Sequence, residues 1–179
     1  LIGIAGDAGA GKNHLATLIA DLFTAPQTLT VEGDDYHKWE RASENWQDYT
    51  HLHPKANRLT TLADHADKLV QGRPVFHPHY DHLTGTFTAP REVKPGRTVI
   101  IQGLHTLFPR GLRRLFDLSI FVAPDERIRL FWKLRRDVQE RGHSQQNVLD
   151  ALNKRSEDSA VHIAPQRAYA DWIIEHVPR

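Results

Sequence analysis

The chain has 179 residues, is 40% hydrophobic and 25% charged, and carries a formal net charge of +1. Such values describe one ordinary globular domain with room for a core, and the near balance of charge argues against a protein held to nucleic acid or membrane by its field. Zero cysteines exclude disulfides and thiolate sites. No stretch approaches the ~18 apolar residues of a membrane span and no leader pattern is present, so a cytoplasmic protein is expected. The chain has no Met, and strand-like sequence lies at both ends. We therefore expect a single domain, residues 1–179, trimmed from a longer polypeptide.

Residues 1–5 form a short apolar run that reads as a buried strand. It leads into Gly6-Asp7-Ala8-Gly9-Ala10-Gly11-Lys12, and then into a helix expected to bury Leu15, Leu18, Ile19 and Leu22 on one face. G-x-x-x-x-G-K between a strand and a helix is a phosphate-binding loop, in which backbone N–H groups and the helix dipole meet the phosphates. Gly6, Asp7, Ala8, Gly9, Ala10, Gly11, Lys12, Asn13 and His14 are thus candidate nucleotide contacts, with Lys12 reaching the β/γ-phosphates. The Ser/Thr that should follow the Lys and hold Mg²⁺ is Asn13.

Residues 28–31 read as a second strand that ends at Glu32-Gly33-Asp34-Asp35-Tyr36-His37, and residues 38–57 as an irregular insertion. Leu59, Leu62, Ala63, Ala66, Leu69 and Val70 give a helical stripe stopped by Gly72 and Pro74. A hairpin-like excursion is expected over 75–97, a buried central strand over 98–101, and another strand over 118–123. From Asp125 the pattern Ile128, Phe131, Leu134, Val138 predicts a helix to Gly142, with Arg129, Lys133 and Arg136 as a basic stripe. Ser144 is placed to cap a further helix, and residues 172–178 read as a last strand. Alternating strands and helices predict an α/β fold: a parallel sheet of about five strands flanked by helices, with a small hairpin excursion.

Carboxylates at the end of a strand beside a phosphate loop lie where open α/β sheets bind ligands. Transfer of a phosphoryl group to an alcohol needs a carboxylate to take the hydroxyl proton and a group to hold Mg²⁺, so Asp34 and Asp35 are candidates. Arg135, Arg136 and Arg141 are candidates for a lid that neutralises transferring charge. The segment His77-Pro-His79-Tyr80-Asp81-His82 fits no metal-binding helical spacing and reads as a substrate-contacting loop.

Taken together the chain resembles the phosphoribulokinase/uridine kinase family of P-loop kinases, on its phosphoribulokinase side. The segments that carry the likeness are Glu32-Gly-Asp-Asp-Tyr-His37, His53-Pro-Lys-Ala-Asn57, Tyr80 with Thr84-Gly85, Gln102-Gly-Leu-His105, Trp132-Lys-Leu-Arg-Arg-Asp137, Glu140-Arg-Gly-His-Ser144, Ala164-Pro-Gln166 and Ala170-Asp-Trp-Ile-Ile-Glu175. The resemblance implies ATP as donor, Mg²⁺, Asp34 as catalytic base beside Lys12, and Arg136 and Arg141 as lid arginines at the nucleotide. It places Asp35, Tyr36, His37, Arg41, Tyr80 and His105 at the acceptor, with Asn13, Asp34 and Gln102 around the metal. Two letters depart from the pattern near that metal: Asn13 for Ser/Thr, and Gln102 for the Glu of the family's E-G-L-H segment. Gly85 stands where uridine kinases carry a uracil-contacting His, which disfavours uridine.

The expected function is an ATP-dependent kinase acting on a hydroxyl of a sugar phosphate or polyol. The alternatives are a nucleotide-binding pseudokinase domain with a regulatory role, its Mg²⁺ binding weakened by Asn13 and Gln102, and a nucleoside or vitamin kinase. The expected partners are ATP and a small-molecule acceptor, with neither nucleic acid nor membrane.

Overall fold

The structure, a computed structural model, describes residues 1–23, 27–81, 83–140 (backbone alone at 140), 142 and 144–178. Five strands pair in parallel in the order β2-β5-β1-β6-β7: β1 (Ile2–Gly6), β2 (Thr28–Glu32), β5 (Thr98–Gly103), β6 (Leu118–Pro124) and β7 (Trp172–His176). The central three are runs of apolar residues because helices cover both faces of the sheet. Ile4, Ile100 and Ile101 are fully buried, and each such side chain contributes about 1.5–3 kcal/mol relative to exposure.

Alternation along each strand divides the core in two. Ile100 packs with Ile2, Ile4, Ile120 and Val122 against Ala16 of α1 (Lys12–Leu22). Its neighbour Ile101 joins Val31 and Val99 against Leu62, Ala66 and Leu69 of α2 (Leu59–Val70). A third cluster, with Ala5, Leu52, Leu104, Leu107, Phe121 and Ile163, closes the end of the sheet near the phosphate loop.

The stripe expected on α1 is corrected by the packing. Leu18 and Leu22 are 48% and 83% exposed, and the small Ala16 makes the close helix-to-sheet contact instead. The excursion is an antiparallel pair, β3 (Val75–Asp81) and β4 (Thr86–Val93), with a register shift between His77 and His79, at Pro78. Proline cannot donate to a ladder, which is why the pairing is interrupted there. A single turn, α3 (Arg110–Arg113), follows β5.

Helix α4 (Glu126–Arg135) begins at Asp125, whose carboxylate accepts from the Arg127 N–H at 2.9 Å. It passes into a wider π-type turn over Arg136–Glu140 rather than running on as α-helix. Helix α5 (Gln145–Asp158) is capped by Ser144, whose hydroxyl oxygen accepts from Asn147 N at 3.1 Å. Among the described residues no helix is long and apolar enough to cross a membrane.

Candidate active site

β1, β2 and β5 run parallel, and their C-terminal ends, Gly6, Glu32 and Gly103, lie side by side. β1 lies between β5 and β6, with β2 beyond β5 on one side and β7 beyond β6 on the other, so the chain leaves it in both directions and a crevice opens there, where open α/β sheets take ligands. The cleft measures about 1020 Å³. Ala8, Gly9, Gly11, Lys12, Asn13 and His14 line it from the phosphate loop, Asp34, His37, Arg41 and Tyr80 from the β2 and hairpin side, and Arg136 from above.

The loop is fastened through Asp7, which does not itself line the cleft. Its Oδ1 accepts from Ala8 N at 2.6 Å, its carbonyl accepts from Ala10 N at 3.1 Å and Lys12 Nζ at 2.9 Å, and its Oδ2 pairs with Arg129 at 3.1 Å. Ser159 donates to the same Oδ2. Arg129 also donates to the Ala8 carbonyl at 3.1 Å, so α4 is tied directly to the loop. Gly9 has φ +82°, and a Cβ there would lie 2.9 Å from the Lys133 Cβ, so α4 rests on the glycine. Gly6 and Ala10, also expected at the nucleotide, do not line the cleft, and Ala10 is buried against the sheet core.

The cations above the loop are more numerous than the sequence pattern indicated. Lys133 and Arg155 join Lys12 and Arg136 in the cleft wall. Burial lowers the Lys12 pKa, with Asp34 the first charge to oppose it, followed by Asp7. Burial likewise lowers Arg155, opposed by Asp137, Asp7 and Asp34. Asp137 is the anion that holds the group together: its Oδ2 lies 2.6 Å from Lys133 Nζ and its Oδ1 2.9 Å from Arg136 Nε. Burial pushes the Asp137 pKa up, and these two hydrogen bonds overcome that and leave it below the usual range. Desolvated cations of this kind favour a bound polyanion, which restores the charged form that burial penalises. Arg155 was detectable in principle, because it continues the face of α5 that carries the buried Val148 and the half-buried Ala151, where an arginine is out of place. Arg135 is exposed beside Phe131, Leu134 and Val138, away from the cleft. Arg141 lies outside the described residues, as does His82.

On the other side, His37 is 4% exposed and its Nδ1 lies 2.9 Å from Asn57 Oδ1. Asn57 uses its Nδ2 to donate to the His51 and His53 carbonyls at 3.0 and 3.1 Å. Its Oδ1 is therefore the acceptor, Nδ1 of His37 the donor, and Nε2 of His37 is left for the cleft. Arg41 is held by Gly85: its N–H donates to the Gly85 carbonyl at 2.8 Å, and Nη1 donates to the Leu83 carbonyl at 3.2 Å. The Tyr80 phenol also bonds Arg41. Trp46, His51 and Leu52 complete this wall, all from the insertion that carried no period.

Four residues expected around the acceptor and the metal do not line the cleft. Asp35 is buried and accepts from Tyr80 N at 2.7 Å, with His79 and His77 at 3.5 and 3.7 Å, so it clamps the hairpin to the end of β2. Tyr36 is fully buried, its hydroxyl 2.9 Å from His65 Nδ1. His105 is buried, with Nε2 donating to the Leu52 carbonyl at 2.9 Å, and burial pushes its pKa down to about 4. Gln102 is 4% exposed at the end of β5, beside Glu32 in the ladder. Burial, then Asp34 and Asp35, raise the pKa of that Glu32.

A five-stranded parallel sheet with this glycine loop and its cation-lined cleft defines the class as a P-loop kinase fold. More narrowly, the chain belongs to the phosphoribulokinase/uridine kinase family, whose model matches residues 1–179. It is 35% identical over 178 residues to a phosphoribulokinase of Synechocystis sp., covering 99% of this chain and 54% of that protein. It is also 31% identical over 183 residues to a uridine kinase of Streptococcus thermophilus, covering 97% and 84%. Among solved structures, the phosphoribulokinase from Rhodobacter spheroides superposes with a TM-score of 0.77 at 21% identity, over 98% of this chain and 69% of that one. The chain spans about half the length of the phosphoribulokinases it matches in sequence.

Proposed function

We propose that the cleft transfers the terminal phosphoryl group of ATP to a hydroxyl of a phosphorylated sugar. The observation that carries this reading is the placement of Arg41. The Leu83 carbonyl and Tyr80 hold its guanidinium in the wall of the same cleft as Asp34, Lys12 and His37. A fixed guanidinium is suited to bidentate recognition of a phosphate already on the acceptor. The loop N–H groups and Lys12 hold the β- and γ-phosphates, and Lys133, Arg136 and Arg155 balance the charge that spreads over the transferring group. Asp34 accepts the proton of the attacking hydroxyl, which then forms the new O–P bond as the bridging oxygen leaves with ADP. Gly85 has no side chain to reach a base and Arg41 fills the space beside it, which favours a sugar phosphate over a nucleoside.

Magnesium in such sites takes one or two protein groups and completes its shell with phosphates and water. Asp34 and Asn13 line the same cleft, and a carboxylate with an amide oxygen would meet that requirement. When bound, the ion neutralises phosphate charge. Gln102 stands apart from the cleft, so we assign it to the packing beside Glu32 rather than to the ion. The reading of an impaired regulatory domain has no observation in its favour, since Lys12, Asp34 and Arg136 all line one cleft. Following ADP release over a panel of pentose phosphates, polyols and nucleosides tests the proposal. Turnover with sugar phosphates supports it, and turnover confined to nucleosides rejects it.

A further inference from the structure

Outside the lining of the cleft, three side chains converge from two separate parts of the chain. His53 comes from the insertion after β2, and Asp158 and His162 from the end of α5 and the turn that follows. One ligand atom from each lies within 4.8 Å of the other two. We propose that His53, Asp158 and His162 form a binding site for a late first-row divalent cation of the Zn²⁺ type, which fastens the insertion to α5.

The donor set selects the metal. Two imidazoles and one carboxylate suit Zn²⁺ and its neighbours, whereas Mg²⁺ and Ca²⁺ take oxygen ligands. Asp158 and His162 are four residues apart along the continuing helical path, with His162 Nε2 3.8 Å from Asp158 Oδ1. The other oxygen, Oδ2, accepts from the Thr50 hydroxyl at 2.6 Å, so the carboxylate is already oriented with Oδ1 towards the imidazole. An outer hydrogen bond of this kind recurs around metal ligands.

Two adjustments accompany binding. Ligand atoms around tetrahedral Zn²⁺ stand roughly 3.3 Å apart for bonds of about 2.0–2.1 Å, so the three groups close by about 1 Å. His53 Nδ1 accepts from the Lys55 N–H at 3.1 Å. Ligation through Nε2 moves the ring proton to Nδ1 and releases that N–H, which is exposed and returns to water. The His53 and His162 rings already stand 4.8 Å apart between centroids. Water completes the fourth position.

The site joins the two walls of the cleft from outside. The insertion that carries Thr50 and His53 also supplies His51 and Leu52 to one wall, and α5 supplies Arg155 to the other, three residues before Asp158. Isothermal titration of the chain with ZnCl₂, and with MgCl₂ as the contrast, tests the site, and CoCl₂ adds the visible absorption band of four-coordinate cobalt. One equivalent of Zn²⁺, the cobalt band, and loss of both in His162→Ala and in Asp158→Asn are expected. His79→Ala, at the half-exposed histidine beside Asp35 in the hairpin, should keep them. Asp158→Asn retains an oxygen for Thr50 and so carries the test if the histidine variant folds poorly. Absence of a stoichiometric Zn²⁺ site in the parent chain, or its survival in both variants, overturns the proposal.

Discussion

Gly85 lies directly beneath Arg41: a Cβ at position 85 would fall 2.6 Å from the Arg41 Cβ and 2.7 Å from its Nε, on a backbone with φ +77°. The contact makes the glycine a determinant of where the guanidinium stands. Gly85→Ala should displace Arg41 and also strain the left-handed backbone by about 1–2 kcal/mol. Steady-state kinetics should then show the acceptor KM rising about 10-fold or more, with the KM for ATP little changed. Equal loss for both substrates would mean that Arg41 does not read the acceptor.

Asp34 is assigned the acceptor's proton, and general-base groups contribute roughly 10²–10⁴-fold. Asp34→Asn should lower kcat by that order. ATP binding measured by titration calorimetry in the absence of acceptor should persist, because Lys12 and the loop amides remain. Unchanged turnover would remove Asp34 from the chemistry.

The buried Lys133–Asp137 pair, 2.6 Å apart, neutralises part of the cation cluster over the loop. Asp137→Ala leaves Lys133 and Arg136 beside Lys12 and Arg155 without that anion. Breaking one partner of a buried pair costs about 3–5 kcal/mol, and urea unfolding should show a loss of that size. Saturating ATP should recover more stability in the variant than in the parent chain, since the nucleotide supplies the missing negative charge.

Much of this architecture is legible in the residues, for reasons that differ by element. β1, β5 and β6 are readable because strands buried on both faces must be apolar throughout, and the hairpin because Pro78 and Gly85 punctuate it. The phosphate loop is readable because its glycines answer to backbone geometry. The α1 stripe misled because Leu18 faces the cleft and Leu22 faces solvent, leaving the contact to Ala16. Motif residues reveal their place better than their task. Asp35 and His105, which the resemblance puts at the acceptor, do not line the cleft and spend polar atoms on neighbouring backbone, Tyr80 N and the Leu52 carbonyl. Lys133 and Arg155 come to one place only through the packing of α4 and α5, and the His51–Trp46 wall comes from an insertion without period.

His105 also gives a pH signature. Burial lowers its folded pKa to about 4 from an ordinary 6.5. Between those values the unfolded chain binds a proton that the folded one refuses, so stability is lost as pH falls from 6.5 towards 4 and is fully present above. The shift corresponds to about 3 kcal/mol at most. Urea midpoints at pH 7 and pH 4.5 should converge in His105→Gln, whose amide can still donate to the Leu52 carbonyl but does not titrate. A pH slope equal to that of the parent chain would assign the effect to other groups.

The central claim is that one cleft holds ATP on Lys12 and a phosphorylated sugar on Arg41. ADP formation with a panel of pentose phosphates, each paired with its unphosphorylated sugar, tests it directly in the parent chain and in Arg41→Gln. Turnover with the phosphorylated members, and a rise of about 10²-fold in their KM in the variant with the KM for ATP unchanged, is the predicted result. Equal use of phosphorylated and unphosphorylated sugars, or indifference of both to Arg41→Gln, would contradict it.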